Sequence, residues 1–327
     1  MQAPAASALV MITPYGDVWG AICHGVSPFD NPERWGWLGM KYDPLNNYLP
    51  MKGDFNGDDA DDLMQLTPYG DVWVFPRENK SFQTPSRWGW LGFCYDEMDG
   101  NEGLLPLAGD FNGDGKTDLA QVTFYGDVWI ALSSGQDFSS PRRWGWLGFK
   151  FKRGQEGQIG LLPMSGDVNG DGKCDLVQTT EYGDVWAALS NGSGFNAPTR
   201  WGWLGFYYRP LDGWLPAMAD LNGDGRDDIL QFTPAGEVWC ALSQGNSFGS
   251  PLNWGAVGFV YDEEQGKLPI PADVNADGRF DLIQITPTGD PWVAVNNDTI
   301  FSTPERWGFI SFTFSRDDHR LSLFIGP

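Results

Sequence analysis

The sequence predicts an all-β protein: a six-bladed β-propeller of four-stranded blades, its ring closed by a C-terminal strand that completes the N-terminal blade. Three observations predict it. A strand-rich unit recurs six times at spacings of 53 to 57 residues. Turn-forming residues stand at the same places inside each copy. The two chain ends carry complementary parts of one further unit. Composition agrees, because 43 Gly, 23 Pro and 17 Trp in 327 residues favour short strands and turns over helices.

The repeat shows in two elements. Gly-Asp/Glu-x-Trp begins at Gly16, Gly70, Gly126, Gly183, Gly236 and Gly289. Arg-Trp-Gly-Trp follows at Arg34, Arg87, Arg143 and Arg200, with the weaker forms Asn253-Trp254-Gly255-Ala256 and Arg306-Trp307-Gly308-Phe309. An aromatic and a proline precede the second element, as in Phe82 and Pro85 or Phe195 and Pro198. In the third unit we expect strands at Leu104–Ala108, Asp118–Thr123, Val128–Leu132 and Trp144–Phe151. The turn between the second and third strands reads Thr-Pro-Tyr-Gly at Thr13–Gly16 and Thr67–Gly70. Proline supplies φ near −65° at the second turn position and glycine closes the turn. Strand-rich units of this length, repeated four to eight times, are the signature of a propeller.

A stacked solenoid is the rival, and the chain ends argue against it. The first unit opens at Ala8–Thr13, which matches a second strand. The last unit is followed by Leu321–Pro327, which aligns with the first strand at Leu268–Ala272 and stops where an acidic loop would begin. Exchange of that strand closes the ring and removes two exposed sheet edges. The whole chain, 1–327, then reads as one propeller domain with repeats at about 1–47, 48–102, 103–159, 160–212, 213–265 and 266–320, and a closing strand at 321–327.

Between the first two strands of five units lies an acidic loop with oxygen-bearing residues at relative positions one, three, five and nine. The loops are Asp54, Asn56, Asp58 and Asp62; Asp110, Asn112, Asp114 and Asp118; Asp167, Asn169, Asp171 and Asp175; Asp220, Asn222, Asp224 and Asp228; and Asp273, Asn275, Asp277 and Asp281. Position six is glycine except at Asp59, where we expect backbone strain. Oxygens at odd positions around a sharp turn suit Ca²⁺, a hard cation that takes about 6–8 oxygen ligands. Position seven (Ala60, Lys116, Lys173, Arg226, Arg279) would contribute its backbone carbonyl. Solvated Asp/Gly turns are common, but five in phase favour up to five structural Ca²⁺ ions, which pin turns rather than activate water. Mg²⁺ suits the loops less well, because it usually keeps several waters. The loop runs directly into a strand, so it is not an EF-hand.

The net charge of −22 argues against nucleic acid as a partner. Much of the excess is local, since the five loops hold 18 Asp. Cys23, Cys94, Cys174 and Cys240 stand at non-equivalent positions without a CxxC, so free thiols are expected. No stretch is long and apolar enough to span a membrane, and Met1–Leu9 lacks the features of a signal peptide.

With its Asp-x-Asn-x-Asp-Gly-x-x-Asp loops set in repeated strand units, the chain resembles the FG-GAP/VCBS repeat family, which includes the integrin α-chain propeller. The likeness runs through the chain and is most specific at the loops. Lengths and aromatic richness are also similar to a fungal N-acetylglucosamine-binding propeller lectin related to that family. The resemblance implies a calcium-stabilised binding scaffold.

Comparison of the copies points to the ligand-binding residues. Tyr15, Tyr69, Tyr125 and Tyr182 precede Gly-Asp in units one to four, and Trp37, Trp90, Trp146 and Trp203 are the second Trp of the same units. Units five and six lose both, with Ala235 and Ala256, and Thr288 and Phe309. Paired loss places each Tyr near its Trp, either as an aromatic ligand site or as a second packing layer. Positions kept in all six units, the Gly-Asp/Glu-x-Trp element and the first Trp of Arg-Trp-Gly-Trp, read as blade packing. Gln65, Gln121, Gln178, Gln231 and Gln284, with Met11 in unit one, would bridge blades or line the channel.

Catalysis finds little support, with only His24 and His319 in non-equivalent places and the Asp residues largely taken up by the loops. We expect a non-catalytic, monomeric, multivalent lectin that binds glycans or glycoproteins. An integrin-like platform for a protein partner is the alternative, and a polysaccharide lyase or hydrolase a more distant one. Calcium ligands point to an extracellular or cell-surface setting. The missing signal leaves the cytoplasm open.

Overall fold

The computed structural model describes residues 7–96, 102–155, 157–262 and 264–326. It shows six four-stranded antiparallel sheets. Blade 2 is representative, with strands Leu49–Gly53, Asp62–Leu66, Asp71–Phe75 and Ser86–Trp90 in spatial order. The first strand of every blade touches the first strands of both neighbours, so these strands form the inner wall of a closed ring. Blade 1 takes its first strand from the chain's other end. Leu321–Ile325 pairs antiparallel with Ala8–Ile12, Ile325 opposite Ala8 and Leu321 opposite Ile12. Pro327, at the end of the expected closing segment, lies outside the described residues, as do 1–6 and 97–101. Among the described residues there is no α-helix, only single 3₁₀ turns at Pro44–Asn46 and Pro210–Asp212.

In the third unit the strands are Leu105–Gly109, Asp118–Val122, Asp127–Ala131 and Arg142–Trp146. The fourth therefore ends well short of the expected Phe151. After Trp146 the chain turns inward: the Leu147 amide donates to the Gly126 carbonyl at 2.9 Å, and Gly148 takes a positive φ of 69°. The segment 147–150 that read as strand is instead the start of the crossover to the next blade, and Phe151–Lys152 pairs separately with Glu102–Gly103.

A blade is too thin to bury its own side chains. The second strand is buried at all five positions in blades 2 to 6, because each of its faces meets a neighbouring blade. The six main apolar clusters each join two consecutive blades. One, for example, combines Val10, Val18 and Trp35 of blade 1 with Leu63 and Phe75 of blade 2. The first Trp of the Arg-Trp-Gly-Trp element packs on the aromatic residue that precedes the same element in the next blade. Trp35 meets Phe82, Trp88 meets Phe138, Trp144 meets Phe195, Trp201 meets Phe248, Trp254 meets Phe301 and Trp307 meets Phe29, at centroid separations of 5.4 to 6.2 Å. The paired repeats of Trp and Phe are thus two halves of one interblade contact.

Two sets of hydrogen bonds fix blade against blade. The strand glutamines reach across: Oε1 of Gln65, Gln121, Gln178, Gln231 and Gln284 accepts the amide of Lys41, Cys94, Lys150, Tyr207 and Val260 of the preceding blade at 2.5 to 3.2 Å. Met11 faces the Thr313 amide in the same way. Of the two roles open to these residues, the structure shows the bridging one. At the other end of each blade a side chain donates to a carbonyl of the preceding blade. Ser133 reaches Phe55, Ser190 reaches Phe111, Ser243 reaches Val168, Asn296 reaches Leu221 and Cys23 reaches Val274.

The sixth of these latches crosses the ring closure. Among the described residues no acidic loop stands there, and the longer Arg77 reaches across, its guanidinium donating to the Gly326 carbonyl at 2.7 Å. The Gly326 amide donates back to Asp61 Oδ2 at 2.7 Å. Arg77→Met keeps the stem and removes the donor. It should destabilise the protein by about 1–3 kcal/mol in denaturant unfolding and speed amide exchange in Leu321–Ile325 more than in the other inner strands. Uniform exchange across all inner strands would mean that closure does not depend on this latch.

Candidate functional site

In each blade the acidic loop joins strands one and two, and the Tyr-bearing turn joins strands two and three. Antiparallel pairing sends these connections to opposite ends, so the aromatic turns occupy one face of the ring and the acidic loops the other. The end of the outer strand lies on the aromatic face, because Asp17 pairs with Trp37 and Asp71 with Trp90.

On the aromatic face the second Trp is held by backbone. The indole Nε1 of Trp37, Trp90, Trp146 and Trp203 donates to the carbonyl of Tyr15, Tyr69, Tyr125 and Tyr182 at 2.6 to 2.7 Å. The turn glycine lies so close to the crossover glycine that a Cβ on Gly16 would sit 2.7 Å from the Gly39 Cα, and Trp37's six-membered ring rests beside Gly39. These Trp side chains are 60 to 64% exposed and the Tyr side chains 69 to 82%. Neither ring is buried as a second packing layer would be. The expected proximity holds, but through the tyrosine carbonyl, which any residue could supply. The contact therefore accounts for the Trp and not for the Tyr ring.

Next to these platforms, grooves open between blades. One of about 320 Å³ is lined by Leu147, Gly148 and Phe149 of blade 3 and by Gln178, Thr180, Trp186 and Pro198 of blade 4. Its counterpart between blades 4 and 5, about 470 Å³, has Leu204, Gly205, Phe206 and Trp203 on one wall and Gln231, Thr233, Trp239 and Pro251 on the other. The groove Trp belongs to Gly-Asp/Glu-x-Trp. We read that element as packing because it persists in all six copies. Its Trp is instead more than a third exposed in blades 2, 3, 4 and 6.

The acid of the same element is paired at the surface. Arg34, Arg87, Arg143, Arg200 and Arg306 donate Nε to Asp17, Asp71, Asp127, Asp184 and Asp290 at 2.5 Å. Strand register sets each Arg directly opposite the groove Trp, as with Arg200 and Trp186. Blade 5 changes both partners together, to Glu237 and Asn253. That joint change is the signal in the copies that marks the pair.

On the opposite face the loops share one hydrogen-bonded form. Asp110 accepts the amides of Gly113 and Gly115 at 2.7 Å, and Asn112 accepts that of Asp114 at 2.7 Å. Position seven folds back: Lys116, Lys173, Arg226 and Arg279 pair with the carboxylate two residues before them. Asp59 takes a positive φ of 65°, as its missing glycine foretold, and Ala276 does so at 58°, where the other loops have glycine. The loops are also chained, since the Thr117, Cys174, Asp227 and Phe280 amides donate to the carbonyls of Asp54, Asp110, Asp167 and Asp220 in the preceding loop.

Position nine is fully buried in all five loops. Burial, with repulsion from the acids at positions one and five, pushes Asp62, Asp118, Asp175 and Asp228 up to about 7 and Asp281 to about 6. Among the described residues no three His, Cys, Asp or Glu side chains converge on one point, because the loop carboxylates are turned to their own amides. The donor set still fits a hard cation. It is all oxygen, its acids repel one another, and in the first loop Asn56 Oδ1 and Asp62 Oδ2 are buried without a partner. His24 faces Asp30 at 3.1 Å and His319 faces Asp43 at 3.7 Å. All four cysteines are free thiols.

Residues 167–231, from the first Asp of the third loop to the glutamine after the fourth, match the FG-GAP-like repeat. No curated protein sequence matches the chain. An Agrocybe aegerita lectin, solved for its recognition of non-reducing terminal N-acetylglucosamine, is similar in structure with a TM-score of 0.62 and 17% identity, over 98% of this chain and 95% of that one. AofleA from Arthrobotrys oligospora is similar with a TM-score of 0.54 and 10% identity, over 99% and 90%. The chain thus carries an FG-GAP-like repeat within a six-bladed propeller whose shape is shared with a fungal lectin.

Proposed function

We propose that the protein is a multivalent, non-catalytic carbohydrate-binding propeller, stabilised by calcium and acting outside the cell. The observation that carries this reading is an exposed Trp repeated around the ring, set beside an Arg–Asp pair on its own sheet, with grooves opening next to it at blades 4 and 5. A flat indole suits the C–H face of a sugar ring. The guanidinium and carboxylate, already mutually oriented, offer donors and acceptors to neighbouring hydroxyls. Blades 1 to 4 add a second, backbone-pinned Trp. Several weak sites on one rigid ring gain avidity on a glycan-coated surface if they engage together. The recognition of terminal N-acetylglucosamine by the structurally similar lectin makes that sugar the first probe.

A second reading has its own support. The eight exposed Tyr and Trp side chains fall on four consecutive blades and could form one footprint for a protein partner. A glycan array separates the two. The lectin reading expects selective binding to a glycan class, lowered at least tenfold by Trp90→Ala with Trp146→Ala. A blank array from a folded, calcium-loaded protein would sink that reading and favour the protein platform.

For calcium, the residues that would hold each ion are the acids and Asn of one loop with the position-seven carbonyl, and the ion would neutralise their repulsion. The pH dependence has a definite sign. Because the position-nine acids have raised pKa values in the fold, the folded chain holds protons that the unfolded chain has lost. Their contribution is full below about pH 4 and falls as pH rises to about 7. Calorimetry in chelator should therefore show the melting temperature falling from pH 5 to pH 7.5 through these groups, and calcium should flatten that slope and raise the value at pH 7.5. Identical slopes with and without calcium would contradict the assignment.

A further inference from the structure

The groove between blades 4 and 5 differs from the others in charge. In every other blade the register places an Arg opposite the groove Trp; opposite Trp239 stands Asn253. The acid there is Glu237, which lines the 470 Å³ cavity. Its oxygens accept from Asn253 Nδ2 at 3.2 Å and Trp239 Nε1 at 3.3 Å. Both donors are neutral, so no cation is paired with this carboxylate among the described residues, whereas the Asp of the other blades is paired with its Arg.

Aromatic walls surround that charge. Trp203, Trp214 and Trp239 all line the cavity. Trp214 is particular to this groove. It follows the 3₁₀ turn at Pro210–Asp212 and bridges to Arg209. The matching bridge positions in the other blades hold Tyr48, Leu104, Leu161, Lys267 and Arg320. Two of those are cations. Arg209, on the connection that carries Trp214, is held by Asp212 at 2.7 Å.

We infer that this groove is a site for a small alkylammonium ion, such as a methylated ammonium group or a protonated amino sugar, with Glu237 as counter-ion and the three indoles as its cage. An ammonium over the face of Trp is attracted by the ring quadrupole, most strongly where water is excluded. The cavity volume lies in the usual range for small-ligand pockets, about 300–1,000 Å³. The inference stands apart from the sugar reading of the other grooves, because it needs an uncompensated carboxylate that they lack.

The test is calorimetric titration at pH 7 of the full chain with two matched pairs: choline against its uncharged isostere 3,3-dimethyl-1-butanol, and glucosamine against N-acetylglucosamine. We expect one site per chain for at least one cation, with its neutral partner at least tenfold weaker. Glu237→Gln should weaken the cation at least tenfold. Asn253→Arg, which restores the pair found in the other blades, should abolish it, with circular dichroism unchanged in both variants. Trp214→Leu should weaken it without altering sugar binding elsewhere. Whichever cation binds identifies the source. Equal binding of choline and its neutral isostere, several choline sites per chain, indifference of the cation to Glu237→Gln, or no binding of either cation would overturn the inference. N-acetylglucosamine binding at several sites that survive Asn253→Arg reports on the lectin reading separately.

Discussion

No blade of this protein can bury its own two faces. Four strands make a sheet one layer thick, and apolar burial is the main favourable term in folding. Each sheet must therefore be covered by its neighbours, and a row of such sheets is satisfied only if the last covers the first. Much else follows from that constraint. It explains why the second strands are buried throughout. It explains why Trp35, Trp88, Trp201, Trp254 and Trp307 are packed on aromatic residues one blade on. It also explains why the chain ends interleave rather than meet head to tail.

The same constraint separates the two faces. On the loop face, position nine is a buried carboxylate beside two further acids, which is costly without a cation or a proton. The protein accepts that cost where blade meets blade, next to the side chains that latch one blade to the last. On the aromatic face the interblade seam is left open near its rim, and the groove Trp lines it, with its Arg–Asp pair on the same sheet. Loop chemistry can hold the ring's geometry while groove chemistry varies from blade to blade. Blade 5 shows this: its loop keeps Asp220, Asn222, Asp224 and Asp228, while its groove has exchanged Arg for Asn253.

The fold was legible in the sequence because its grammar is repeated six times. Strand order, the turn glycines and the closing strand could be read from the spacing and alignment of the copies, while the pairing of each Trp with the next blade's Phe came from the structure. The strain at Asp59 was legible because four sister loops supply glycine for comparison. The groove was not. Persistence in all six copies made Gly-Asp/Glu-x-Trp look like packing, yet a side chain can persist because a repeated site needs it. Burial distinguishes the two cases, and burial depends on where the outer strand stops. The run Leu147–Phe151 has the apolar character of strand, so its inward turn and the opening it leaves were invisible without coordinates. The Tyr side chains remain without a structural account, since only their carbonyls hold the neighbouring Trp.

The central claim is that ligands enter the seams between blades on the aromatic face. The most direct test is an indole ¹⁵N–¹H spectrum of the calcium-loaded protein during titration with N-acetylglucosamine, the signals assigned by single Trp→Phe substitutions. The account predicts progressive shifts at Trp73, Trp129 and Trp186 and at their neighbours Trp37, Trp90 and Trp146, while the buried Trp88 and Trp254 stay still. Shifts confined to residues away from the seams, or no shift at saturating sugar, would contradict it.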